Sequence, residues 1–178
     1  MTENRTPGGA ILILGGARSG KSRRAQAIAE ASGLQPIMIA TATAGDAEMA
    51  GRIARHRAER GRAWATVEEP RELCMALRRE AGPDRIVVID CATLWLANRM
   101  FVDADLAAES RALAQTLAAL TTPCIIVSNE VGFGVVPETA MGRRFRDAQG
   151  WLNQELAAVC ERVELVVAGI PLVIKPRA

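Results

Sequence analysis

Short apolar runs recur along this chain, each too brief for a helix and lacking the polar alternation of a half-exposed strand. They are Ala10-Ile-Leu-Ile-Leu14, Pro36-Ile-Met-Ile-Ala40, Arg85-Ile-Val-Val-Ile-Asp90, Cys124-Ile-Ile-Val127 and Val163-Glu-Leu-Val-Val-Ala168, with Ala63 to Val67 and Leu172 to Ile174 as shorter candidates. Strands of this kind are buried on both faces. Between them lie amphipathic stretches that read as helices: Lys21 to Ala31, stopped at Ser32-Gly33; Asp46 to Arg60, stopped at Gly61; Pro70 to Ala81; Thr93 to Met100; Leu106 to Leu120; and Thr139 to Arg162, with an interruption expected near Gly150. Buried strands alternating with helices predict an α/β fold, a mostly parallel sheet covered by helices on both sides. Residues 1–9 read as a polar, disordered tail. Residues 10–178 read as one domain, with no internal repeat or linker.

The 22 basic and 20 acidic residues leave a net charge of +2, which gives no bulk-charge hold on nucleic acid or an anionic membrane. No apolar run reaches the ~20 residues of a membrane helix, and the first residues lack a signal-peptide core. Cys74, Cys91, Cys124 and Cys160 are widely spaced and form no CxxC pair. They read as free thiols of a reducing, cytoplasmic compartment. Scarcity narrows the chemistry further. Lys21 and Lys175 are the only lysines, His56 is the only histidine, and there is no tyrosine.

The first apolar run passes directly into Gly15-Gly16-Ala17-Arg18-Ser19-Gly20-Lys21-Ser22, a match to G-x-x-x-x-G-K-[ST] that in turn opens a helix. Glycines let the backbone wrap a phosphate, and the helix N-terminus aims N–H groups and its positive dipole end at it. Lys21 reaches the β- and γ-phosphates, and Ser22 offers a hydroxyl to Mg²⁺. The strand-loop-helix context therefore predicts a P-loop NTPase-type domain. Mg²⁺ needs a second, acidic partner at the end of a nearby strand; Asp90 fits, its other reading being a helix N-cap. Glu130, after Val127-Ser-Asn, is a weaker candidate of the same kind. No asparagine is followed by lysine, so the guanine-reading motif of a GTPase switch is absent. Asp147-Ala-Gln-Gly150 lies in a helical stretch and is not a switch motif. A motor ATPase is normally longer, which leaves small-molecule group transfer.

His56 stands among five arginines between positions 52 and 62. Two readings stay open from the residues alone. The stretch is a solvated basic face with His56 as a bystander. Or the neighbouring cations keep the imidazole neutral and nucleophilic, ready to attack the α-phosphate of a nucleoside triphosphate and expel pyrophosphate.

From Leu12 to about Pro171 the chain resembles the bifunctional adenosylcobinamide kinase/adenosylcobinamide-phosphate guanylyltransferases of cobalamin biosynthesis. The resemblance rests on Gly15 to Ser22, Ile39-Ala-Thr41, Asp46-Ala-Glu-Met49 with Arg52-Ile53 and His56, Trp64-x-Thr66-x-Glu68, Asp90-Cys-x-Thr93, Val127-Ser-Asn-Glu-Val-Gly132, Gly134-Val-Val-Pro-Glu138 and Arg146-Asp-x-x-Gly150-x-x-Asn153-Gln154. Such an enzyme would phosphorylate adenosylcobinamide with ATP or GTP, then transfer GMP from GTP to the product through a guanylyl-histidine. The resemblance places His56 as that histidine. It implies nucleotide contacts from Gly15 to Ser22, Ala40, Thr41, Ala42, Arg57, Ala58, Glu59, Arg60, Glu68 and Asp90, with Glu68 as the reader of guanine. It also implies a cytoplasmic, Mg²⁺-dependent homotrimer with a corrinoid substrate, while the charge balance and the lack of a long apolar run already argue against a nucleic-acid or membrane partner. Two alternatives stand beside it: a P-loop small-molecule kinase without nucleotidyl transfer, and a non-catalytic nucleotide-binding module. The glycine-rich stretch Ser128 to Glu138 is the candidate for part of the corrinoid site.

Overall fold

The computed structural model describes residues 9–43 and 63–176. In chain order it contains β1 (Ala10–Gly15), α1 (Lys21–Ala31), β2 (Gln35–Ala40), β3 (Ala65–Glu68), α2 (Leu73–Glu80), β4 (Arg85–Asp90), α3 (Ala92–Met100), α4 (Leu106–Ala118), β5 (Cys124–Val127), α5 (Ala140–Val159), β6 (Arg162–Val167) and β7 (Ile170–Lys175). The expected tail, 1–8, and the expected helix from Asp46 to Arg60 lie outside the described residues.

The strands form one seven-stranded sheet in the order β3-β2-β4-β5-β1-β6-β7. Every pairing is parallel except β6 with β7. Because successive side chains of a strand point to opposite faces, the apolar runs supply two cores at once. Ala10, Leu12 and Leu14 join Ile37, Ile39, Val87, Ile89 and Ile126 under α2, α3, α4 and α5. Ile11 and Ile13 join Met38, Ile86, Val88, Ile125 and Val127 on the opposite face, where Ala25 and Ala29 of α1 pack. This is the two-faced α/β sheet that the sequence predicts.

Among the differences from expectation, three have a visible cause. The helix predicted from Pro70 begins at Leu73, because the Glu69 carboxylate accepts from the backbone N–H groups of Arg71 and Glu72 and holds them in a turn. The long C-terminal helix runs through Gly150 without interruption; an interior glycine costs only about 1 kcal/mol. It ends at Val159 rather than Arg162, since Arg162 is already the first residue of β6 and pairs with Ile11.

Candidate phosphate site

A parallel sheet sends the C-terminal ends of its strands to one edge, where α/β proteins bind ligands. Here that edge carries Gly15, Ala40, Asp90 and Val127. The loop from Gly16 to Gly20 leaves β1 and enters α1. Its geometry demands glycine at two points. A Cβ on Gly15, whose φ is +153°, would lie 2.5 Å from the Val166 carbonyl oxygen and 2.7 Å from Ser19 Oγ. Gly20, with φ +101°, is the N-cap of α1 and brings no side chain to cap the first turn, which holds no acidic residue. The first N–H groups of α1 therefore open toward the loop, the arrangement that binds phosphate. Arg18 takes a left-handed conformation, φ +56°. Such backbone strain concentrates at ligand clamps.

Lys21 is buried, and its ammonium donates to the Gly16 carbonyl across the loop. Ser19 Oγ is buried without a hydrogen-bond partner among the described residues. The turn between β6 and β7 braces the loop from behind, with Gly169 N donating to Ser19 O at 2.8 Å. Ser22 is half-buried in the first turn of α1.

Asp90 is the last residue of β4, opposite Ala40 on one side and Val127 on the other, and half-buried. The N-cap of α3 is Cys91, so Asp90 does not serve as one. Burial, reinforced by the adjacent Asp90 charge, pushes the Cys91 thiol up to about 11; it stays protonated and inert. Thr41 is fully buried, and its hydroxyl bridges the Cys91 peptide groups, donating to the carbonyl at 2.7 Å and accepting from N–H at 2.9 Å. Asn98 Nδ2 donates to the Thr41 carbonyl at 2.8 Å. Thr41 thus pins the end of β2 to the end of β4, and Ala40 and Ala42 flank that pin. Its side chain is spent on the fold.

Glu68 ends β3, exposed and in register with Ala40. Between β3 and β1 lie β2, β4 and β5, so Glu68 stands roughly 19 Å along the edge from Gly15 at ~4.8 Å per strand step. His56, Arg57, Ala58, Glu59 and Arg60 lie outside the described residues. The structure therefore gathers the loop and Asp90 on one edge and sets Glu68 at its far end.

One feature escapes sequence reasoning: a buried polar network behind Glu130, made by Thr93, Ser128, Gln149 and Asn153. Gln149 and Asn153 are four apart on the apolar face of α5, beside Ala148, Leu152 and Leu156. Two amides on a core-facing stripe are the signal that could have found it.

The family model for cobinamide kinase / cobinamide phosphate guanyltransferase matches residues 11–174. The bifunctional adenosylcobalamin biosynthesis protein CobP of Pseudomonas aeruginosa is 51% identical over 166 residues, covering 92% of this chain and 96% of that one. The bifunctional adenosylcobalamin biosynthesis protein CobU of Escherichia coli is 39% identical over 180 residues, covering 93% and 99%. Among solved structures the RadB recombinase superposes with a TM-score of 0.50 at 16% identity, covering 90% of this chain and 74% of that one. That likeness extends to the fold alone.

Proposed function

The chain belongs to the cobinamide kinase/cobinamide phosphate guanyltransferase family and is a bifunctional enzyme, and we propose that both of its reactions use the edge described above. The observation that carries this reading is the loop from Gly15 to Lys21, shaped so that a Cβ would close it and opening onto an uncapped helix. The kinase step uses ATP or GTP. Lys21 leaves the Gly16 carbonyl to neutralise the β- and γ-phosphates, and the buried Ser19 hydroxyl gains a phosphate oxygen as partner.

The donor set suits Mg²⁺. Ser22 and Asp90 offer hard oxygens, and Mg²⁺ is usually held by one or two protein ligands together with phosphates and water. No cluster of three acidic, thiol or imidazole ligands occurs among the described residues, and none is needed. When bound, Mg²⁺ supplies charge neutralisation at the phosphates.

In the second reaction the His56 imidazole attacks the α-phosphorus of GTP. Pyrophosphate departs, leaving GMP on the ring nitrogen. A phosphate oxygen of adenosylcobinamide phosphate then attacks the same phosphorus and frees His56. The cations at Arg57 and Arg60 stabilise the charge that develops, and Ala58 and Glu59 also contact the nucleotide. Glu68 accepts from the guanine N1–H and 2-amino group. Its distance from the loop means that this GTP lies stretched along the sheet edge, its base toward β2 and β3.

The corrinoid meets the stretch from Ser128 to Glu138, where Phe133, Val135 and Val136 are exposed and apolar. Copies associate through the β6–β7 hairpin as a homotrimer: Val167, Ile170, Leu172, Val173 and Ile174 are all exposed there, an apolar surface of the kind that marks an interface. The enzyme works in the cytoplasm; no helix among the described residues is long and apolar enough to cross a membrane.

An assay of adenosylcobinamide phosphorylation tests the site. Lys21→Ala should lower kcat by about 10²–10³-fold. Phe133→Ala with Val135→Ala should raise the corrinoid KM while labelling of the protein by GTP persists. Full phosphorylation by the Lys21 variant would contradict the proposal.

A further inference from the structure

The residues behind the β5 end are arranged to hold one carboxylate. Ser128, Gln149 and Asn153 are buried. Ser128 Oγ donates to Asn153 Oδ1 at 2.7 Å and accepts from Gln149 Nε2 at 2.9 Å. Gln149 Nε2 also donates to Asn153 Oδ1, again at 2.9 Å. With its oxygen engaged twice, Asn153 can turn only its amide N–H groups toward the loop. They donate to the Asn129 carbonyl at 3.1 Å and to Glu130 Oε1 at 3.0 Å. The backbone is fixed as well. Asn129 N donates to Thr93 Oγ1 at 2.8 Å, and Glu130 N donates to the Gly15 carbonyl at 3.1 Å.

Such a network in a core is costly, because Gln149 Oε1 is left buried without a partner among the described residues. What it secures is the orientation of Glu130. That residue is half-buried, and among the described residues its second carboxylate oxygen takes no hydrogen bond. Its place matters. β5 lies between β1, which carries the phosphate loop, and β4, which carries Asp90. Glu130 therefore emerges between Lys21's loop and Asp90, at the start of the exposed apolar stretch proposed to meet the corrinoid.

We propose that Glu130 is the general base of the kinase step and that Asn153 is the positioning residue that holds its carboxylate. The proposal rests on the reading of this edge as the kinase site. The acceptor hydroxyl oxygen attacks the γ-phosphorus. A new O–P bond forms as the bond from that phosphorus to the β,γ-bridging oxygen breaks, and the electron pair leaves with the nucleoside diphosphate. The hydroxyl proton passes to Glu130 and then to water. A carboxylate in this role accepts the hydroxyl proton in other phosphoryl-transfer sites.

The test uses the full-length enzyme and two assays: phosphorylation of adenosylcobinamide, and uptake of label from GTP labelled at the α-phosphate. Glu130→Gln should lower the phosphorylation kcat by about 10²–10⁴-fold, with KM for ATP and label uptake each within about threefold of wild type, the scatter expected of an uninvolved group. Asn153→Asp turns an acceptor toward Glu130 and should also lower kcat. In a Glu130→Gln background it should cost nothing more, which a purely structural residue would not show. Should Glu130→Gln fail to fold, Glu130→Asp replaces it, and lowered kcat with intact label uptake is again expected. An unchanged kcat, equal loss of both activities, or an Asn153→Asp cost that is the same in both backgrounds would overturn the proposal. If wild type fails to phosphorylate adenosylcobinamide, the kinase reading itself falls instead.

Discussion

At the scale of single residues, two adjacent glycines in the loop do different jobs. Gly15 faces backbone: an added Cβ meets the Val166 carbonyl at 2.5 Å, and a carbonyl in a paired strand cannot step aside. Gly16 faces nothing within 4 Å. Gly15→Ala should therefore cost about 1–3 kcal/mol of stability, seen as a fall of about 2–4 °C in melting temperature per kcal/mol. Gly16→Ala should melt within about 0.5 kcal/mol of wild type. Equal melting of the two variants would refute this geometry. The sequence motif names both glycines without separating them, because the separation depends on β6, which arrives some 150 positions later in the chain. Thr41 shows the same limit. Its motif suggests a ligand contact, yet its hydroxyl is bound on both sides by the Cys91 peptide groups. Asp90 was legible because a strand followed by an acid is a local pattern; the network behind Glu130 was not, since its partners come from α3, α5 and the residue that follows β5.

Among the described elements, α1 and β6 are tied by a buried charge. Glu164 is fully buried on β6 and grips Arg24 of α1 with both oxygens, at 2.8 and 2.9 Å, while Arg162 adds a further contact at 2.8 Å. Burial pulls its carboxyl upward, but the Arg24 hydrogen bonds and the charges of both arginines outweigh that, so its folded value lies below the ordinary 4.5. A carboxyl held low when folded lends stability that is complete above its unfolded value and disappears as the pH falls through the folded one. Glu164→Gln should cost about 2 kcal/mol near neutrality, less than for a wholly buried pair because both arginines keep part of their surface in water. The gap between variant and wild type should close as the pH drops below about 4.5. A gap that stays constant on acidification would show that the charge is not what stabilises this tie. At this scale the sequence was most readable: the β4 and β5 ranges and that of α1 follow from apolar runs and stop residues. Element ends were less readable. Glu69 delays α2 through a side-chain turn to the N–H groups two and three residues on, and the pairing of Arg162 with Ile11 ends α5 early through a contact that no local pattern encodes.

For the whole molecule, the topology places β5 between the phosphate loop and Asp90, and it leaves the β6–β7 hairpin apolar and uncovered. If copies associate there, sedimentation equilibrium should give three times the 19.0 kDa chain mass, and Ile170→Lys with Leu172→Lys should reduce it to one. A wild-type monomer would rule the trimer out. In the function proposed, one domain carries both reactions and His56 holds the guanylyl group between them. The most direct measurement incubates the protein with Mg²⁺ and GTP labelled at the α-phosphate, denatures it, and tests the label's chemistry. Label that is acid-labile, alkali-stable and absent from a folded His56→Asn variant, which still phosphorylates adenosylcobinamide, is the predicted result. Unlabelled protein that is folded and binds GTP would contradict it and leave a kinase whose only histidine is a bystander.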